Sequence, residues 1–236
     1  MLPRRTDTAS YEVTQPLSRR DRLRADVLAR TPRWYSPWVH LAFPSLVGLG
    51  MVGASLHLLD GPSQWELLTV PVAFLLVNLN EWHVHRNVLH RRSWPLEALF
   101  WRHTPEHHVI FVRDDMAMRS AQEFRLVLIP SYGIVAIFLT TLPITAALWS
   151  LVSHDVARLW VATSMGYVVA YEWLHLSYHL PRDHPIARSR AIRWLSRCHA
   201  THHTPELMQH WNFNVTVPIA DWLLGTIHPD TRRAGA

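Results

Sequence analysis

The sequence predicts an all-α integral membrane protein, with about four transmembrane helices and a cytosolic helical cap that carries clustered histidines. Three observations predict it. Apolar residues make up 49% of the 236, and they gather in a few long runs instead of spreading evenly. Seventeen histidines are present, and most fall where those runs end. Every basic residue is arginine, and the arginines flank the runs on one side.

The elements follow in order. Residues 1–35 are basic and lack the apolar core of a secretory signal, so they read as mature sequence. Within them, 17–28 has the pattern of a basic helix lying on a membrane surface, with a mobile tail as the alternative. Residues 36–236 read as one membrane-embedded domain. The first span is 38–59, broken in its apolar character only by His40, Ser45, Ser55 and His57. Residues 60–63, Asp-Gly-Pro-Ser, are a turn. The second span starts at 67 and continues through Glu81 to His85, reaching the roughly 20 residues a bilayer requires. Arg86, Arg91 and Arg92 mark its exit.

Residues 95–111 read as a short amphipathic helix with Leu96, Leu99, Phe100 and Trp101 toward lipid. The third span is 126–152, with Pro130 and Pro143 as tolerated kinks. The fourth is 157–176, and the short connection at His154 and Asp155 makes the two a hairpin. After Pro181 the chain is polar. Residues 186–203 have helical periodicity, with Ile192, Leu195 and Cys198 on one side. Residues 211–227 alternate apolar and polar.

Arginine placement sets orientation. The N-terminal segment, residues 86–125 and residues 182–197 hold nearly all the arginines, while the 60–66 loop has none. The rule that positive charge stays inside then puts both termini, and both histidine-rich stretches, in the cytoplasm. The net charge of +5 suits anionic lipid headgroups and topology better than nucleic acid. The single cysteine, Cys198, excludes an internal disulfide and a thiolate cluster.

Ten histidines fall in four groups: His85/His90, His103/His107/His108, His175/His179 and His199/His202/His203. Residues three or four apart share a helical face, which suits the last two groups and the His103/His107 pair. His85 and His90 are five apart and converge only if the helix ends or distorts between them. Several of these residues sit at span ends, where an uncompensated polar group is expensive, and a metal compensates it. A structural zinc takes four ligands, so ten imply two ions. Imidazole suits zinc, iron, copper and nickel alike.

Glu81 and Glu172 precede His85 and His175 by about one turn. Each reads as a carboxylate that accepts an imidazole N–H and fixes its tautomer, or as an interfacial carboxylate paired with arginine. Asn212, Asn214 and His210 read as residues holding a metal-bound water, or as loop hydrogen-bonders. His83 is an eleventh candidate or an interface residue.

The phrases HRNVLH, HTPEHH, HLSYH and HATHH, in that order, resemble the fatty acid hydroxylase/sterol desaturase superfamily of integral-membrane di-iron oxygenases. YEWLH and NFNVTVPIADWLLGT resemble its bacterial members. The resemblance spans about residues 67–226. It implies that the ten histidines are the ligands of two iron ions, with zinc able to replace iron in purified protein. Glu172, behind His175, and Asn214, as a holder of metal-bound water, are the residues read as acting beside them, and the expected location is a bacterial inner membrane with the site on the cytoplasmic side. The resemblance also implies reductive activation of O2, a lipid or other hydrophobic substrate, and electrons from an external ferredoxin, rubredoxin or cytochrome, since no fused cytochrome domain is expected upstream of residue 38. Two departures stand out. Three residues separate His103 from His107 where two are usual, and Asn214 stands where glycine is common. Desaturation of a fatty acid, sterol or carotenoid shares the same ligand set. A non-catalytic membrane metal-binding protein is the reading from another class. Histidines gathered on one side argue against a transporter, which carries ionisable groups through mid-membrane.

Overall fold

The computed structural model describes residues 17–233. Among them the regular structure is helical, with one isolated bridge between Val112 and Asp115. In chain order the main helices are α1 (Arg19–Ala29), α2 (Pro37–His57), α3 (Thr69–Val84), the short α4 (Glu97–Trp101), α5 (Ser131–Leu151), α6 (His154–Tyr178), α7 (Arg190–His202) and the short α8 (Ile219–Leu223).

Local sequence explains the helix starts. Ser18, Ser36 and Ser153 each accept a backbone N–H of the first turn of α1, α2 and α6, and Pro37 occupies the first turn of α2, where no N–H is needed. Three helical stretches are long and apolar enough to cross a membrane: Pro37–His57, Gln64–Leu89 and Ser131–Leu151. Their outer faces carry exposed Val39, Leu46, Val72, Leu76, Leu139 and Ile144, an apolar surface that suits lipid and not water. The third expected span begins later than read. Residues 124–127 form a separate short helix, the chain then extends, and Pro130 caps α5 instead of kinking it. Proline biases the residue before it away from helix, and Ile129 lies outside both helices.

The fourth expected span is α6. Its 25 residues measure roughly 37 Å at about 1.5 Å each, ample for a bilayer. It is less apolar than the other three because it is the hub. α2, α3 and α5 all pack on it, so Asp155, Glu172 and His175 are buried on protein faces and not turned to lipid. In α5, by contrast, only Gly133 is buried. Close approach of α2 to α6 depends on Gly48, where a Cβ would come 2.5 Å from the Val169 side chain.

At the end away from the histidines, the Asp155 carboxylate accepts the Asp60 N–H at 3.1 Å and pairs with Arg158 at 2.8 Å. Ser153 donates to Glu66. These bonds tie the α2–α3 connection to the α5–α6 hairpin. At the histidine end a cap core forms from Val27, Ile110, Phe111, Phe124, Leu126 and Leu176 with their neighbours. α1 belongs to this core: its buried Val27 and Arg24 face the cap, and Arg24 pairs with buried Glu123 at 2.6 Å. Two charges taken from water are tolerable only together, so α1 is pinned to the cap and does not lie free on a surface. The segment before residue 17 lies outside the described residues.

Candidate metal centre

Nine of the ten expected histidines form two groups whose ring nitrogens lie within 4.8 Å of one another. The first holds His85, His90, His103, His108 and His202; the second holds His107, His179, His199 and His203. All nine are buried. The tenth, His175, flanks the second group, its ring centroid 5.0 Å from that of His107, 5.1 Å from His179 and 4.8 Å from His199. The groups adjoin, since His108 and His203 stack at 4.1 Å.

Backbone geometry makes this possible. His85–Leu89 and Arg102–His107 are π-helical turns, which occur often at functional sites. In each, a backbone N–H bonds five residues back, from His90 to His85 and from His108 to His103. That extra residue per turn stacks His85 on His90, with centroids 5.0 Å apart. The distortion that the five-residue spacing demanded is therefore present. The same turn corrects the expected His103/His107 pairing: His103 meets His108 at 3.0 Å between Nε2 atoms, and His107 goes to the other group. α7 likewise straddles both, giving His202 to the first group and His199 and His203 to the second.

The tautomers are fixed by acceptors. His85, His107, His179, His202 and His203 each donate from Nδ1 to a backbone carbonyl, of Phe213, Leu126, Met116, Trp211 and Phe111 respectively. A carbonyl only accepts, so each Nδ1 holds the proton and each Nε2 presents a lone pair. Those lone pairs converge. Nε2 atoms lie 2.8 Å apart for His85/His103, 2.9 Å for His90/His202, 3.0 Å for His199/His203 and 3.3 Å for His179/His199. Metal–imidazole bonds of about 2.0–2.1 Å set neighbouring ligand nitrogens about 2.9–3.4 Å apart. Nε2 of His107 and both ring nitrogens of His175 are buried without a hydrogen-bond partner. Buried polar atoms rarely stay so, and a cation answers both the orphaned nitrogens and the facing lone pairs. Burial also pushes these imidazoles below the usual histidine range, to about 4 for His179 and for His202 and further for His199 and His203. They are neutral at pH 7, the form that binds metal.

A fatty acid hydroxylase family model matches residues 70–226. The chain belongs to the fatty acid hydroxylase family. A solved structure described as full-length scs7p, with only the hydroxylase domain visible, shares the fold at a TM-score of 0.53 and 17% identity, over 82% of this chain and 67% of that one. No curated protein matches the chain. The matched stretch contains all ten histidines.

The other expected site residues lie close by but with different partners. Glu172 is fully buried, and its Oε1 accepts the Ile129 N–H at 3.1 Å while Oε2 has no partner. The expected bond to His175 is not formed. Glu81 accepts no imidazole N–H either. It takes hydrogen bonds from the backbone N–H groups of Val215 and Thr216, the hydroxyls of Thr216 and Tyr167, and Asn214 Nδ2. Asn214 also donates to the Asn78 carbonyl at 3.0 Å and accepts the Asp221 N–H at 3.1 Å. Asn212, at a positive φ of 56° that asparagine tolerates, bonds Cys198 and His228. His83 and His210 are exposed. His40 donates from Nε2 to the Ile129 carbonyl and accepts the Tyr35 hydroxyl at Nδ1.

Sequence reasoning missed Asp221, Asn78 and Tyr167. Buried Asp221 accepts the N–H groups of Phe213 and Asn214 and the Thr226 hydroxyl. It thereby shapes the loop whose Phe213 and Trp211 carbonyls orient His85 and His202. Asn78 holds the same loop through the Val217 carbonyl and the Ala220 N–H. The available signal was a carboxylate and an amide inside apolar runs.

Proposed function

We propose that this protein is a four-span membrane hydroxylase in which the ten histidines hold two iron ions and oxygen is inserted into a C–H bond of a lipid. The observation that carries it is the pair of adjoining, buried, all-imidazole groups with lone pairs turned inward. Iron, when bound, supplies the activation of O2 that no side-chain acid or base can supply toward a hydrocarbon. The balance is RH + O2 + 2 electrons + 2 protons giving ROH + H2O. The electrons come from an external one-electron carrier of ferredoxin, rubredoxin or cytochrome type.

The chain's own residues do the rest. The carbonyl-anchored Nδ1 atoms hold the ligand rings in place. Glu172 and Asn214 act as positioning residues, the first by holding the Ile129 segment against α6, the second by locking the loop that orients His85. An apolar cavity of about 360 Å³ opens between α2, α3 and α6, lined by Val52, Val70, Phe74 and Leu159. Its polar end is Tyr167 and Thr216, both bonded to Glu81, one turn before His85. Its size lies within the range of small-molecule sites, and it suits an acyl or other hydrocarbon chain entering from the bilayer. Arginine asymmetry supports a cytoplasmic histidine end with both termini inside.

The test is purified protein in lipid discs, with iron content measured, given a donor system, lipids and labelled O2. Label in one new hydroxyl per product supports the proposal. A new double bond without label would move the assignment to desaturation. No lipid change in iron-loaded protein would leave a metal-binding protein.

A further inference from the structure

We infer that the cleft behind His179 and His199 is the docking site for an acidic electron-carrier protein, an inference that rests on the proposed redox function. The cleft is a cavity of about 510 Å³. Arg113, Arg182 and Arg193 line it together with Asp114 and Asp115. Asp115 is already committed to Arg20 at 2.6 Å. The three arginines are exposed, so the mouth of the cleft is positive. Such a surface steers a negative partner and orients it.

The floor of the cleft reaches the second histidine group. Met116 and Tyr178 line it. The Met116 carbonyl accepts the His179 Nδ1–H at 2.8 Å, and the Tyr178 ring lies 5.5 Å from that of His199. Yet His179 is 0% and His199 1% exposed. The cleft therefore ends one side chain or one hydrogen bond from two ligands without opening onto them. A substrate carbon cannot pass such a wall, whereas an electron can. The chain's single cysteine cannot hold an iron–sulfur cluster of its own.

A membrane headgroup is the other acidic surface to weigh. The cleft lies at the C-terminal end of α6, beyond the histidines. The exposed Trp34, Trp94 and Trp222, of the kind that marks a bilayer interface, are not among its lining residues. Position thus favours a protein.

The probe is reduced plant-type [2Fe–2S] ferredoxin, with rubredoxin as a second acidic carrier, binding to the full chain in neutral-lipid discs. The variant is Arg182→Glu with Arg193→Glu, two exposed residues that line the cleft. We expect saturable binding to wild type that weakens as salt rises, and at least about tenfold weaker binding to the double variant. Product formed with dithionite as reductant should stay within about twofold of wild type, which also shows that the variant folds. Equal ferredoxin binding by variant and wild type, or no binding of either carrier to wild type, overturns the inference. Unchanged carrier binding with lost binding to anionic vesicles would overturn it in favour of a lipid surface. Binding is read apart from turnover, so absence of product with every reductant would count against the hydroxylase proposal and leave the docking result standing.

Discussion

The two histidine groups are built in different ways. Four of the five members of the first, His85, His90, His103 and His108, come from one stretch of 24 residues, brought together by two π-turns; only His202 is distant. The second takes its members from three separate regions, His107, His179 and the His199/His203 pair, and meets only when α6, α7 and the 102–111 segment pack. The first is also oriented by a single loop, 211–216, whose carbonyls hold His85 and His202. The second draws its acceptors from Leu126, Met116 and Phe111, all in or beside the cap core. Local backbone distortion makes one site and tertiary packing the other. The first should tolerate loosened packing better, and the second should fail first when α6 or α7 shifts.

Five outcomes break or sharpen this contrast. The largest is His203→Ala. It removes one of the four mutually close nitrogens of the second group and leaves the apolar helices intact. Metal content should fall from about two ions per chain to about one, with no product, by elemental analysis and lipid mass spectrometry. Two retained ions would show that the second group is not a discrete site.

Next comes acid. Burial holds His202 in the first group and His179 in the second near 4, below the free value of 6.5. The unfolded chain binds more protons in that window, so stability falls as pH drops from about 6.5 to about 4, and these two groups cost nothing further below it. Protons also compete with metal in the same direction. Both histidine groups should lose metal as pH falls through and below the lower end of this window, seen as a falling melting temperature and rising free metal. Retention at pH 3 would mean ligands other than histidine.

Glu81→Gln is third. An amide in place of the carboxylate sets N–H donors against a ring of donors, costing about 1–3 kcal/mol. Because Glu81 holds the 214–216 segment of the loop, metal affinity should drop in the first group more than in the second. An equal drop in both would remove the distinction drawn above.

His175→Ala is fourth and probes only the second group. If His175 completes that site, affinity there should fall about 10–100-fold while the first site is untouched in a competition titration with a chelator. No change would make His175 a packing residue. The smallest effect is expected for Glu172→Gln. The amide oxygen still accepts the Ile129 N–H, so activity should drop no more than about tenfold and the melting temperature should move little. Complete loss would mean that the charge itself acts in the reaction.

Much of the architecture is legible in the sequence. Long apolar runs betray membrane-length helices because lipid satisfies no backbone group and only length and composition matter. Histidine grouping in four boxes pointed to the two buried histidine groups for the same reason of cost. The role of α6 was partly hidden, because a helix ringed by protein can carry Asp155, Glu172 and His175 and so loses the uniform apolarity that marks a span. Likewise α1 read as a basic surface helix, since nothing local reveals that Arg24 finds Glu123 some hundred residues away.

By itself the sequence determined the helical membrane class, the ten histidines and the family, because these depend on residue type and spacing along one chain. Only the tertiary structure decided how the ten divide: His103 with His108 and not His107, His202 apart from His199 and His203, and His175 beside its group. It also decided that Glu81 braces a loop instead of touching an imidazole, and that Asn214 is a hydrogen-bonder of that loop. The physical reason is that a π-turn shifts the helical register by one residue, and that ring nitrogens take their tautomers from carbonyls far away in the chain. The five-residue spacing of His85 and His90 signals the first π-turn, but nothing in the spacing signals the second, which parts His103 from His107, or the carbonyls that set the tautomers.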